Sequence, residues 1–268
     1  MKKIFTILLS LIAVFATAQT NAPKSLTELA ASGGSLERVN TPSPQNLKSA
    51  SASTAAGITY YNSRATFDND FPGLPVEGFE NGNVSDNSII SFAAPLNAST
   101  NNSAFSLGDI LPGIEFTTSN PSYPTAIVLI GANYAGVSSK VPLANVFGAK
   151  YVMNFNQAVE AVGMDVVNIF GGSSANIEIY DANSNLLAST SAACSPAGVF
   201  WGVTSDTSIG QIIIHDAASG AEGADNIAFG NAPVVVPVSS WAIYLVFFLI
   251  VASTVFRFRK SIFKKAHA

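Results

Sequence analysis

Few side chains of this sequence have the types and spacing that chemistry requires. His215 is followed by Asp216, and a histidine beside an acid can transfer protons. With Cys194 as nucleophile the pair makes only a nominal triad, because neither a Gly-x-Ser-x-Gly elbow nor a known cysteine signature is present. A lone histidine at the end of an apolar strand is more often a surface residue. These residues therefore predict no catalysis.

Two pairs of carboxylates, Asp68 with Asp70 and Glu77 with Glu80, are the remaining candidates for an enzyme. A glycosidase needs two carboxyl groups that flank the scissile bond. All four acids lie in or beside predicted turns and a predicted first strand, where structural or surface roles are more common. We predict that the protein is not an enzyme and keep a secreted polysaccharide-active hydrolase as the alternative.

Aromatic residues in loops are a better indication of binding, because flat rings stack on sugar rings and peptide edges. Tyr123, Tyr134 and Trp201 fall in or near predicted loops. Trp201 lies in the apolar stretch VFWGVT and is equally compatible with a place in the core. The sequence identifies no particular ligand.

Charge is distributed unevenly along the chain. Between residues 58 and 230 there are fifteen acidic and three basic side chains, a net charge of −12. Such a domain repels nucleic acid and anionic lipid, so we predict no nucleic-acid partner. Most of these acids are expected to be solvated at the surface, although carboxylates are also the ligands that hard cations prefer.

The elements that must position these residues are short β-type segments separated by turn residues. Alternation places Tyr151, Met153 and Phe155 on one face of a strand, and Ile177 and Ile179 on one face of another. No long amphipathic helix lies between the segments. The pattern predicts an all-β fold, an antiparallel β-sandwich of jelly-roll type with one short N-terminal helix.

The start of the chain predicts export. Residues 1–18 combine a basic start, an apolar run and small residues, the pattern of a signal peptide that signal peptidase removes. Residues 19–57 are rich in Ala, Ser, Thr, Asn and Pro, which predicts a disordered linker. Residues 58–232 are the predicted β-sandwich domain. Because Cys194 is the only cysteine, no intramolecular disulfide can form.

Residues 233–268 form the predicted tail. Residues 241–256 are apolar apart from one serine and one threonine. At about 1.5 Å per residue, a helix over this stretch and its flanks crosses a hydrocarbon layer of about 30 Å. Arg257, Arg259 and Lys260 follow, and basic residues tend to stay in the cytoplasm. We predict a single transmembrane helix that anchors the protein in the inner membrane; a simple single-pass anchored periplasmic protein is the alternative.

The tail also resembles the C-terminal sorting signals of the PEP-CTERM type. The resemblance rests on Val236 and Pro237, on Trp241, on the single helix and on the basic cluster that follows it. This sequence reads Val-Pro-Val-Ser where the family has Pro-Glu-Pro. The resemblance implies cleavage by an exosortase-like protease of a Gram-negative bacterium and transfer to the cell surface or extracellular matrix.

The domain resembles jelly-roll, carbohydrate-binding and MAM-like β-sandwiches through VEGFENG near its start and GADNIAFG near its end. The resemblance implies that Glu80, Asp225 and Asn226 hold a structural Ca²⁺ ion, the one cofactor predicted. The sequence thus predicts an exported, membrane-tethered or exosortase-processed surface or matrix protein whose acidic β-sandwich binds a glycan or matrix polymer. An inert coat component is a third interpretation.

Overall fold

The computed structural model describes residues 25–33, 57–170, 174–216, 221–231 and 240–264. The chain divides into two compact units between Ala232 and Pro233. The α-helices are Leu26–Ala31 (α1) and Arg64–Asp70 (α2) in the first unit and Ser240–Lys264 (α3) in the second, and Tyr134–Gly136 form a short 3-10 helix. The strands, all in the first unit, are Ile58–Tyr61 (β1), Val76–Glu77 (β2), Ile89–Phe92 (β3), Leu96–Asn97 (β4), Ile114–Thr118 (β5), Ile127–Ile130 (β6), Val141–Ala144 (β7), Tyr151–Asn168 (β8), Ser174–Asp181 (β9), Leu186–Ala193 (β10), Val199–His215 (β11) and Glu222–Gly230 (β12).

The named strands pair antiparallel throughout, and the two longest strands belong to two layers. The first half of β8 pairs with β5 and its second half with β12. The first half of β11 pairs with β1 and its second half with β9. The front layer is therefore β4, β5, β8, β11, β9 and β10. The back layer is β1, β11, β8, β12, β7, β6 and β3, with β2 paired to β12.

One hydrophobic core fills the space between the two layers. The five residues whose alternation carried the prediction are all buried in it: Tyr151, Met153, Phe155, Ile177 and Ile179. Side chains of the back layer, among them Val203 and Leu129, belong to the same cluster. The predicted antiparallel β-sandwich is thus confirmed, and its finer jelly-roll assignment stays a prediction.

Helix α2 covers part of the outer face of the back layer. Ser63 is the N-cap residue of this helix, and its Oγ accepts a hydrogen bond from the N–H of Thr66 at 3.4 Å. Phe67 is fully buried, in space left by two glycines of the sheet. A Cβ on Gly163 would lie 2.8 Å from the ring of Phe67, and one on Gly202 would lie 3.1 Å from it. The predicted short helix is therefore present and held by its aromatic side chain.

Helix α1 packs on another part of the same outer face and lies within residues 19–57, the range predicted to be a linker. Leu26 and Leu29 are buried, and the N–H of Leu26 donates to the carbonyl oxygen of Asn145 at 2.9 Å. Each buried leucine contributes roughly 1.5–3 kcal/mol, enough to order a short segment that composition alone marks as flexible. Residues 19–24 and 34–56 of the predicted linker and the predicted signal peptide lie outside the described residues.

Candidate functional site

The candidate site is a row of polar side chains on the outer face of the front layer. Residues that alternate with core positions point away from the core. Cross-strand register aligns five of them: Tyr180 pairs with Gln211, Gln211 with Asn154, Asn154 with Glu115, and Glu115 with Asn97. All five are partly exposed. They are named the polar row.

Two hydrogen bonds fix side chains within the polar row. Nε2 of Gln211 donates to Oδ1 of Asn154 at 2.7 Å, and Nδ2 of Asn97 donates to Oε2 of Glu115 at 2.9 Å. Each carboxamide has two donor hydrogens and an acceptor oxygen, so the bonds leave capacity for a ligand. With strands about 4.8 Å apart, five residues in register make a row about 19 Å long.

A charged cluster borders the row at Tyr180. Glu178 accepts hydrogen bonds from Nζ of Lys150 at 2.9 Å and from the hydroxyl of Tyr180 at 2.9 Å, and its Oε1 lies 3.1 Å from Nε2 of His215. Burial opposes ionisation of Glu178, but the bonds from Lys150 and Tyr180 outweigh it, and the pKa of Glu178 is lowered. The resulting carboxylate holds the ring of Tyr180 at the end of the polar row.

The structure brings together two of the three predicted calcium ligands. Asp225 is buried, accepts a hydrogen bond from the hydroxyl of Ser139, and accepts another from the N–H of Asn226 at 2.7 Å. Burial raises the pKa of Asp225 to about 6; the charges of Asp165 and Glu80 add to the rise, and the two hydrogen bonds oppose it. Glu80, the third predicted ligand, is therefore near enough to act on Asp225 through its charge.

Basic side chains also enter this region. Nζ of Lys140 donates to the carbonyl oxygen of Glu80 at 2.9 Å, and Arg64 pairs with Asp165 at 3.0 Å. Within the described ranges, no group of three or more histidine, cysteine or acidic side chains is arranged to hold a metal ion. Calcium binding by the three predicted ligands stays a prediction.

The residues of the nominal triad are engaged elsewhere. His215 contacts Glu178 through Nε2. Cys194 is buried, and burial, with the charges of Asp216 and Glu222, raises the pKa of its thiol to about 11. A thiol with so high a pKa is protonated at neutral pH and is a poor nucleophile. This environment does not activate Cys194 as a nucleophile.

The paired carboxylates have structural partners. Glu77 is buried and accepts hydrogen bonds from the backbone N–H groups of Phe79 at 2.8 Å and Leu111 at 2.7 Å. Asp70 accepts a hydrogen bond from the hydroxyl of Tyr61 at 3.0 Å. Both arrangements match the structural roles predicted for these acids.

The aromatic residues singled out in the sequence lie away from the polar row. Trp201 is buried in the core, with its ring centroid 6.1 Å from that of Tyr60. The hydroxyl of Tyr123 donates to Glu28 at 3.3 Å, and Tyr134 packs beside a cluster on the outer face of the back layer. Sequence reasoning missed Tyr180, although its alternation with Ile179 marks it as an outward position.

Helix α3 occupies much of the predicted tail. Two residues of the predicted sorting signal, Val236 and Pro237, lie outside the described residues, as do the side chains of Trp241, Arg259 and Lys260. Arg257 is exposed. In the part of the chain that the structure describes, no helix is both long and apolar enough to cross a membrane. The sorting signal stays a prediction.

Comparison with known proteins gives limited similarity. No protein-family model and no curated protein matches the chain. Among solved structures it is similar to two mutants of the carbohydrate-binding module CBM29-2, at 14% and 15% identity over 57% of this chain and 99% of those chains. A further carbohydrate-binding module of family 29 is 12% identical over 56% of this chain and 98% of its own. The TM-score is 0.32 in each case, and values this low carry neither a ligand nor an activity over to this chain.

Proposed function

We propose that the β-sandwich is a non-enzymatic module that binds an uncharged glycan chain along the polar row. The observation that carries this proposal is the register of five polar side chains on five neighbouring strands. Sugar hydroxyls both donate and accept hydrogen bonds, and carboxamides do the same. The ring of Tyr180 adds a surface on which a sugar ring can stack. A row about 19 Å long accommodates several sugar units in line.

The charges of the domain favour an uncharged ligand. Between residues 58 and 230 the basic residues are Arg64, Lys140 and Lys150. Arg64 pairs with an acid at 3.0 Å, Lys150 pairs with an acid at 2.9 Å, and Lys140 donates to a backbone carbonyl at 2.9 Å. Arg64 and Lys150 are therefore already paired with acids, and the net charge of −12 repels a uronate or a sulfate.

We expect weak binding to each chain. Tyr180 is the single aromatic residue of the polar row, so stacking contributes only once, and the remaining contacts are hydrogen bonds that replace bonds to water. We expect a dissociation constant in the millimolar range, which corresponds to a binding free energy of about −4 kcal/mol. A surface protein that meets a polymer with many repeats gains further avidity from multiple attachment.

We also propose that the protein works at the cell envelope. Residues 1–18 have the pattern of a signal peptide, and residues 233–268 have the pattern of a membrane tail with a sorting signal. Signal peptidase and an exosortase-like protease are the partners that these patterns imply. Mass spectrometry of the mature protein tests this, because loss of the residues after Pro237 indicates sorting, whereas an intact C terminus indicates a plain anchor.

The binding proposal is tested by calorimetry with uncharged linear hexasaccharides of glucose, mannose and xylose, and with an anionic galacturonate hexasaccharide. We expect at least one uncharged chain to bind without turnover and the anionic chain not to bind. The double variant Asn154→Ala/Gln211→Ala should lose most of the binding, and Asn120→Ala, an exposed amide beyond the far end of β5, should retain it. Release of shorter sugars by the wild type would instead indicate a hydrolase.

A further inference from the structure

We infer that the glycan path continues from the polar row into an uncharged cleft beside it, which receives the end of the chain. This inference rests on the proposed function and adds a second subsite to it. The cleft lies where the start of β5, the bend of β8 and the end of β12 meet, and its volume is about 660 Å³. That volume is within the range of ligand pockets, about 300–1,000 Å³.

The lining of the cleft is unusual for so acidic a domain. None of the residues that line it is charged, although the domain has a net charge of −12. Pro75, Pro112 and Phe229 supply apolar surface, and three carboxamides supply the polar groups: Asn156, Gln157 and Asn231. Apolar walls with a few convergent polar groups are typical of small-molecule sites. The combination fits a neutral sugar and offers no opposite charge to an ionised one.

The carboxamides of the cleft have hydrogen-bonding capacity to spare. Asn156 and Gln157 are exposed, and within the described part of the chain their side chains make no hydrogen bond. Oδ1 of Asn231 accepts a hydrogen bond from the N–H of Glu160 at 3.1 Å, which fixes that amide and leaves its NH₂ group to donate. A ligand in the cleft therefore meets one fixed donor and two adaptable amides.

The cleft is continuous with the polar row through β8. Asn156 follows Asn154 by two residues on this strand, so both side chains project from the same face, about 7 Å apart. The N–H of Asn156 donates to the carbonyl oxygen of Gly113 at 2.9 Å, which holds the strand against the start of β5 at the mouth of the cleft. Because Asn154 is the middle residue of the polar row, a chain that lies along one half of the row can leave it there and place its next units against Asn156 and Gln157.

The test compares the double variant Asn156→Ala/Gln157→Ala with the wild type and with Asn120→Ala in the full chain. Both variants truncate exposed amides whose side chains make no hydrogen bond to any residue that the structure describes, so both are expected to fold. Calorimetry would use the trisaccharide and the hexasaccharide of the same uncharged glycan. The wild type should bind the hexasaccharide more tightly than the trisaccharide. The cleft variant should bind the hexasaccharide about tenfold more weakly, as the loss of two hydrogen bonds implies, and bind the trisaccharide unchanged.

The outcomes separate this inference from the proposed function. The cleft inference is wrong if the cleft variant binds both sugars as tightly as Asn120→Ala does. Loss of binding by Asn154→Ala/Gln211→Ala in the same experiment would still support binding along the polar row. If the cleft variant alone loses binding, the row has no part and the proposed function is wrong as stated. If the wild type binds no uncharged hexasaccharide, both are wrong.

Discussion

Glu222 gives the protein a pH-dependent stability that one substitution should remove. This residue begins β12, is 1% exposed, and its Oε1 has no hydrogen-bond partner among the described residues. Burial raises the pKa of Glu222 from 4.5 to about 8, and the charge of Asp216 adds to the rise. The folded state therefore keeps Glu222 protonated at neutral pH, whereas the unfolded state ionises it.

The size of the effect follows from the two pKa values. A rise from 4.5 to about 8 corresponds to about 5 kcal/mol, at about 1.4 kcal/mol per pKa unit. Because the folded pKa is the higher one, this stabilisation is complete below pH 4.5. It is then lost as the pH rises, by about 1.4 kcal/mol per pH unit, until the loss is complete above about pH 8.

Glu222→Gln replaces the protonated carboxyl group by an amide of the same shape that cannot ionise. We expect the variant and the wild type to have similar free energies of unfolding near pH 4.5. At pH 9 the variant should be more stable by several kcal/mol, and by about 5 kcal/mol at most. Urea unfolding of the full chain at a series of pH values measures the difference. Groups that titrate in both proteins, including Asp225, contribute equally to the two free energies of unfolding and cancel in the difference.

Asp216→Asn provides an internal check on the cause. Removing the charge of Asp216 should lower the pKa of Glu222 and make the free energy of unfolding less dependent on pH. Part of the pH dependence should remain, because burial still raises the pKa of Glu222. Parallel stability curves for the wild type and Glu222→Gln between pH 5 and pH 9 would refute the reasoning, since they would show that Glu222 has the same pKa in both states.

Three further predictions concern the predicted metal ligands and the outer face of the back layer. If calcium binds at Asp225, a chelator should lower the Tm of the wild type but not of Asp225→Ala; an unchanged wild-type Tm would exclude the ion. Gly163→Ala should cost about 1–3 kcal/mol in unfolding free energy because its Cβ would lie 2.8 Å from Phe67, and equal denaturation midpoints would contradict that packing. Leu26→Ala should cost about 2–5 kcal/mol and expose α1 to proteolysis, and wild-type resistance would show that α1 is not docked.

The layers of the sandwich could be predicted because their signals are local. Tyr151, Met153 and Phe155 recur at every second position, and this period of two identifies the inward face of β8 without knowledge of its partners. The full length of β8 is not evident from this pattern. The reason is that the residues around Asn156 and Gln157 face solvent at a bend, so the alternating pattern is interrupted while the strand continues.

The candidate site could not be predicted because its residues meet only through pairing between distant strands. Asn97, Glu115, Asn154, Tyr180 and Gln211 are ordinary outward residues of five separate strands, and no spacing in the chain links them. Their alignment depends on the register of each pair, which is set by the whole sheet. The same reason applies to α1, whose order depends on contacts with residues more than a hundred positions away.

The most direct test of the account is to observe which side chains a glycan touches. NMR spectra of the ¹⁵N-labelled protein resolve the side-chain NH₂ groups of asparagine and glutamine, and titration with an uncharged hexasaccharide would follow them individually. We predict that the signals of Asn154, Gln211 and Asn97 shift with a common saturation curve while that of Asn120 does not. Shifts confined to another face of the domain, with the polar row unaffected, would contradict the account.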